Sequence, residues 1–168
     1  FDDIKNIPFI GGNGILQSVF SAIEIAVWDA RGKILEVPSS QLMSNNCRKE
    51  IPLYASSGTV IFSPNEIIKD IENISNLGYT AYKMRVGYQD WATDIKRVES
   101  ARSVFSDNDI MVDAIMGTLR PAWNSDKAIS RAKDLVDFNL RWLEEPVHPQ
   151  NIKGLAEVCH SGLIPIAA

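Results

Sequence analysis

The spacing of apolar residues changes partway along this chain. In SVFSAIEIAVWDARGKILE, residues 18 to 36, Val19, Ile23, Ala26, Val27 and Ala30 recur at helical spacing and predict an amphipathic helix. Pro38 ends it, and PSSQLMS can add one further turn. From residue 51 short apolar runs alternate with helical stretches. IPLYASSG, TAYKMRVG, DIMVDA, LRWLEE and IPIAA read as strands. The first helix between them, PNEIIKDIENISNLG, is expected to turn Ile67, Ile68, Ile71, Ile74 and Leu77 inward, with Gly78 as its C-cap. The next, Asp90 to Phe105, should bury Trp91, Ile95, Val98 and Val104. A third runs to Phe138 with Ser125 as its cap and Ile129, Ala132 and Val136 inward. NIKGLAEVCHSG is the fourth and shortest.

Five strands alternating with four helices imply βαβ units and a parallel sheet, an α/β fold. Two architectures accommodate such a sheet: an open doubly wound sheet, or part of an eight-stranded TIM-type (β/α) barrel. A dinucleotide-binding open sheet carries a glycine-rich turn after its first strand. SSGTVIFSPNE has one glycine there and no G-x-G-x-x-G, and no P-loop pattern occurs.

Composition narrows the partners. The chain has 168 residues and a formal net charge of -4, from 17 basic and 21 acidic residues mixed along its length. No basic stripe points to nucleic acid or to anionic membrane surfaces. No apolar run approaches the ~20 residues of a membrane span. FDDIKNIPFIGGNG lacks the basic and apolar regions of a signal peptide and has no Met start, so an earlier amino terminus is expected. Cys47 and Cys159 fit no metal spacing, and two reduced cysteines in a cytoplasmic protein are expected.

The candidate chemistry lies at strand ends. Lys83, Asp113 and Glu144 close three consecutive predicted strands about 30 residues apart. A buried strand gains nothing by ending in a charge each time, whereas a barrel that collects its chemistry at one rim does. Arg85 lies two residues beyond Lys83, so both cations face the same side. Alternation likewise sends only one of Glu144 and Glu145 inward. Oxygen ligands without His or Cys suit Mg²⁺, or Mn²⁺, better than zinc. Asp113 could instead be an N-cap for the next helix, although that helix is expected to start about ten residues later, and of the two cations one could snorkel and the other be salt-bridged at a rim. His148 and His160 read as surface or packing residues, and no G-x-S-x-G nucleophile is present.

From about residue 18 onward these patterns resemble the enolase superfamily, specifically the mandelate racemase/muconate lactonizing enzyme family and its mandelate racemase subgroup. SAIEIAVWDARGKILEVPSSQLM is similar to the end of the family's α+β capping domain. GYTAYKMRVG resembles its second barrel strand with a K-x-K or K-x-R pair, MVDA the third strand with a metal-binding Asp, and WLEEP the fourth with a metal-binding Glu. IPIAA resembles the fifth, which precedes a third acidic ligand.

The resemblance implies a division at residues 48 and 49. Residues 1–48 would be the C-terminal helical part of the capping domain. Residues 49–168 would be the first half of a barrel, truncated before the third ligand. It also implies Mg²⁺ on Asp113 and Glu144, and abstraction of the proton alpha to a small carboxylate substrate's carboxyl group. Acid-sugar dehydration is the expected outcome, racemisation or epimerisation of a 2-hydroxy acid the alternative. Arg85 occupies the position of the usual base, yet a guanidinium stays protonated, so Lys83 is the expected proton-transfer group and Arg85 a substrate-binding one. Ile115 stands where the family usually has Asn. The chain is expected to be an inactive fragment of a homo-oligomeric enzyme of roughly 350 to 400 residues, or else a catalytically silent half-barrel that self-associates.

Overall fold

In the computed structural model, residues 14–168 are described, and they divide into two compact units with the boundary between Ile51 and Pro52. The reading of the first thirteen residues as no signal peptide lies outside the described residues. The first unit holds α1 (Ile15–Leu35) and α2 (Ser39–Met43). Gly32 lets the turn close, because a Cβ there would come 2.9 Å from the Val37 carbonyl oxygen. The helix forms as its periodicity predicts, but Val19, Ile23 and Val27 remain about half exposed.

The second unit is one sheet of five parallel strands, in the order β1 (Ala55–Ser56), β2 (Ala81–Arg85), β3 (Asp109–Asp113), β4 (Trp142–Glu144) and β5 (Ile166–Ala167). The connecting helices are α3 (Pro64–Asn76), α4 (Trp91–Val104), α5 (Ser125–Leu135) with a 3-10 turn at Val136–Phe138, and α6 (Ile152–His160). Tyr82, Met84, Ile110, Val112 and Leu143 of the sheet share one core with Ile67, Ile71, Val98, Ala101, Ala128, Ala132 and Val158 from all four helices. A doubly wound sheet needs helices on both faces. Here the helices cover one face, and the arrangement is that of half a (β/α) barrel.

Several local expectations needed correction. Asn124, not Ser125, caps α5, its side chain accepting from the Lys127 N–H at 2.9 Å. Leu77 rather than Gly78 is the C-cap of α3, and Gly78 follows in the left-handed region with φ 87°. Leu77 is 76% exposed because it lies past the last helical turn, and Val136 is exposed because α5 gives way to a tighter turn just before it. The helix starts were more legible. Ser63 and Glu66 form a reciprocal capping box on α3, with Pro64 in its first turn. No described helix is long and apolar enough to cross a membrane.

Candidate active site

The strand register levels Arg85 with Asp113 and Asp113 with Glu144, whereas Lys83 pairs with Met111, which pairs with Trp142. The cation expected at the end of β2 therefore starts one pleat lower than the two acids. Its length makes up the difference. Lys83 Nζ donates to Glu144 Oε1 at 2.7 Å and lies 3.5 Å from Asp113 Oδ2. All these side chains emerge on the sheet face opposite the helices, as alternation requires.

Each acid is partly committed. Asp113 Oδ1 accepts from the Ile115 N–H at 2.9 Å, so one oxygen holds the turn leaving β3 while the other faces Lys83. The ion-pair alternative thus occurs, whereas the helix-cap alternative does not, since Asn124 caps the helix that follows β3. Glu144 Oε2 accepts from the Trp142 indole N–H at 3.0 Å. Trp142 packs edge-on to Tyr54 with ring centroids 5.6 Å apart, and Lys83 Nζ lies 5.8 Å over the Tyr54 ring. Arg85 donates from Nη1 to the Ser57 carbonyl at 3.2 Å, on the first strand's exit turn. Glu145 turns away, accepting from the Gly117 N–H at 3.3 Å. His148 pairs with Arg120 at 3.1 Å, apart from the Lys83–Glu144 contact.

Electrostatics follow from this geometry. Burial pulls the Lys83 ammonium down, but the Glu144 hydrogen bond and the charges of Glu144 and Asp113 outweigh it, and the net shift is upward. Burial pushes the Glu144 carboxyl up. Hydrogen bonds from Lys83 and Trp142 and the nearby Lys83 and Arg85 charges outweigh that, and it ends below its ordinary value. The turns beyond both acids are left-handed without glycine, at Ile115 (φ 47°) and Glu145 (φ 44°). A β-branched residue in that region is strained, and asparagine adopts it far more readily.

The pair Asp113 and Glu144 fits a hard divalent cation. Both are carboxylates on adjacent strands, in register, and the Lys83 ammonium already occupies the space a cation between them would take. Among the described residues no group of three or more metal-ligating side chains forms. Sequence reasoning did not anticipate Trp142 and Tyr54. Only the two-residue step from Trp142 to Glu144 placed the indole on the same face.

Comparison with known proteins follows the same lines. Residues 66–168 match the family model described as Enolase C-terminal domain-like. L-talarate/galactarate dehydratase of Salmonella typhimurium is 29% identical over 160 residues, 94% of this chain and 39% of that protein. The 3,6-anhydro-alpha-L-galactonate cycloisomerase of Streptomyces coelicolor is 31% identical, over 90% of this chain and 41% of its own length. A crystal structure of a racemase from the same organism with bound magnesium superposes with a TM-score of 0.87 at 28% identity, covering 98% of this chain and 45% of that one. The chain spans about two fifths of the length of the curated relatives it matches.

Proposed function

Because this chain belongs to the enolase superfamily, in the mandelate racemase/muconate lactonizing enzyme family, we propose that it forms part of a longer enzyme that removes the proton alpha to a substrate carboxylate. The observation that carries the reading is the Lys83–Glu144–Asp113 cluster, which places a proton-carrying amine against two carboxylates on one sheet face. Asp113 and Glu144 would hold Mg²⁺, which when bound neutralises charge developing on the substrate carboxylate.

Lys83 and Arg85 divide the remaining work. Lys83 Nζ would accept the alpha proton in its amine form; Glu144 and Asp113 favour its ammonium form, and a divalent cation held by those two acids would offset that bias. Arg85 binds the substrate's anionic end and, being always protonated, takes no proton itself. The electrons of the broken C–H bond move into the carboxylate. Loss of the β-hydroxyl with a proton, as water, then gives an enol that becomes a 2-keto acid. Acid-sugar dehydration is supported by the dehydratase relative. Racemisation, in which the proton returns to the opposite face, is the second reading, favoured by the fit to the magnesium-bound racemase. A cytoplasmic setting, with Cys47 and Cys159 reduced, belongs to the same reading.

Exchange of the alpha proton of galactarate for deuterium by the longer enzyme, with Mg²⁺, tests the chemistry. Lys83→Ala is expected to abolish exchange, and unchanged exchange would overturn its role. Calorimetric titration of the 168-residue chain with Mg²⁺ is expected to show no tight binding. Tight one-to-one binding would overturn the view that further ligands are needed.

A further inference from the structure

Behind β2 lies a second ion pair that the proposed chemistry does not use. Arg97 and Asp94 of α4 are both 0% exposed and meet at 2.6 Å. The remaining partners of this pair are all backbone. Arg97 donates to the carbonyls of Arg85 at 2.9 Å, Thr59 at 2.6 Å and Gly58 at 3.3 Å. Asp94 Oδ2 accepts from the Gly87 N–H at 2.7 Å. From α3, Asp70 Oδ2 accepts from the Gly58 N–H at 3.0 Å and from the Tyr82 hydroxyl at 2.6 Å.

These contacts converge on two short segments, the exit turn of β1 and the end of β2. The segments also bind each other: the Arg85 N–H donates to the Gly58 carbonyl at 3.0 Å, and the Arg85 guanidinium reaches the Ser57 carbonyl at 3.2 Å. Gly58 has φ +56°, and a Cβ there would lie 2.5 Å from both Met84 Cβ and Tyr82 Oη, so the turn is pressed against the strand. A desolvated ion pair gives little net stability over apolar packing. A planar guanidinium fork, by contrast, fixes several acceptors in one geometry.

We propose that the Arg97–Asp94 pair, with Asp70, is a positioning clamp that sets the Arg85 guanidinium and the Ser57–Thr59 turn at the rim. What Arg85 binds there rests on the proposed function; the clamp does not. The test uses the ¹⁵N-labelled chain and two variants: Arg97→Lys, which keeps the charge but not the fork, and the double variant Asp94→Asn with Arg97→Met, which removes the buried charges together.

In both variants the Arg85 amide should exchange about tenfold faster or more, and the restricted rotation of the Arg85 guanidinium should be lost. The Leu143 and Ala114 amides, bonded to the Pro165 and Glu144 carbonyls, should keep their protection. Unchanged Arg85 rotation in the double variant, or equal acceleration of Leu143 and Ala114, would overturn the clamp. The readout needs neither metal nor substrate, so its failure leaves the proposed chemistry standing, and failure of deuterium exchange leaves the clamp standing.

Discussion

Strand β2 separates two charged clusters that solve opposite problems. On its inner face Lys83 meets Glu144 and Asp113, with side-chain exposures of 10%, 23% and 10%. On its helix-facing side Arg97 and Asp94 are shut off from solvent. The rim cation's partners are side chains from two other strands, so any of those groups can turn toward something else. The helix-side pair of Arg97 and Asp94 is bound mostly to backbone, which has nowhere to turn. Charge satisfied by movable groups is suited to exchange partners during a reaction, whereas charge satisfied by backbone is suited to hold a shape. Strain divides the same way: the left-handed Ile115 lies two residues past Asp113, and the left-handed Glu145 directly follows Glu144.

The contrast can be broken most decisively at Arg97. Arg97→Met leaves the Asp94 carboxylate buried without its partner, and urea unfolding should show a loss of about 3–5 kcal/mol. A loss near zero would make the buried cluster no more structural than the rim. Gly58→Ala pushes a methyl group into Met84 and Tyr82 at a left-handed position, and should cost about 1–3 kcal/mol by the same measurement.

Ile115→Asn should raise stability by about 1 kcal/mol, because asparagine tolerates the backbone this position requires; no gain would mean that the rim carries no strain there. Lys83→Met, at a pair whose side chains are 10% and 23% exposed, should cost about 1 kcal/mol at neutral pH. Glu144 should then titrate at a higher pH by NMR. The sign of the pH dependence is fixed by the two shifts. The folded-state value of Glu144 lies below 4.5 and that of Lys83 above 10.5, so the pair's contribution is full between those values. It fades as the pH falls through the folded Glu144 value or rises through that of Lys83, and the difference between parent and Lys83→Met should follow that window.

The rim was more legible in the sequence than the clamp. Asp113 and Glu144 stood out because a charge ended an apolar run, which burial alone does not explain. Lys83 and Arg85 were placed on the correct face by two-residue alternation, but their heights were not, since register is a property of two strands together. Asp94 and Arg97 passed unnoticed because an acid and a base three residues apart on a helix usually mark a solvated face. The available clue was positional: Asp94 falls three residues after Trp91 and four before Val98, on the stripe expected to face inward. The expectation for Leu77 failed because periodicity does not say where a helix stops.

The strand order has a consequence in time. Every neighbour in the sheet is also the next strand in the chain, so the sheet can grow one βα unit at a time from its first strand. All of Arg97's partners lie at or before residue 97, whereas the Lys83–Glu144 contact spans 61 residues and waits for β4. Shorter closures form first on entropic grounds. During synthesis the seat of Arg85 can therefore be complete before either acid has been made, and the reactive cluster condenses onto a scaffold already set.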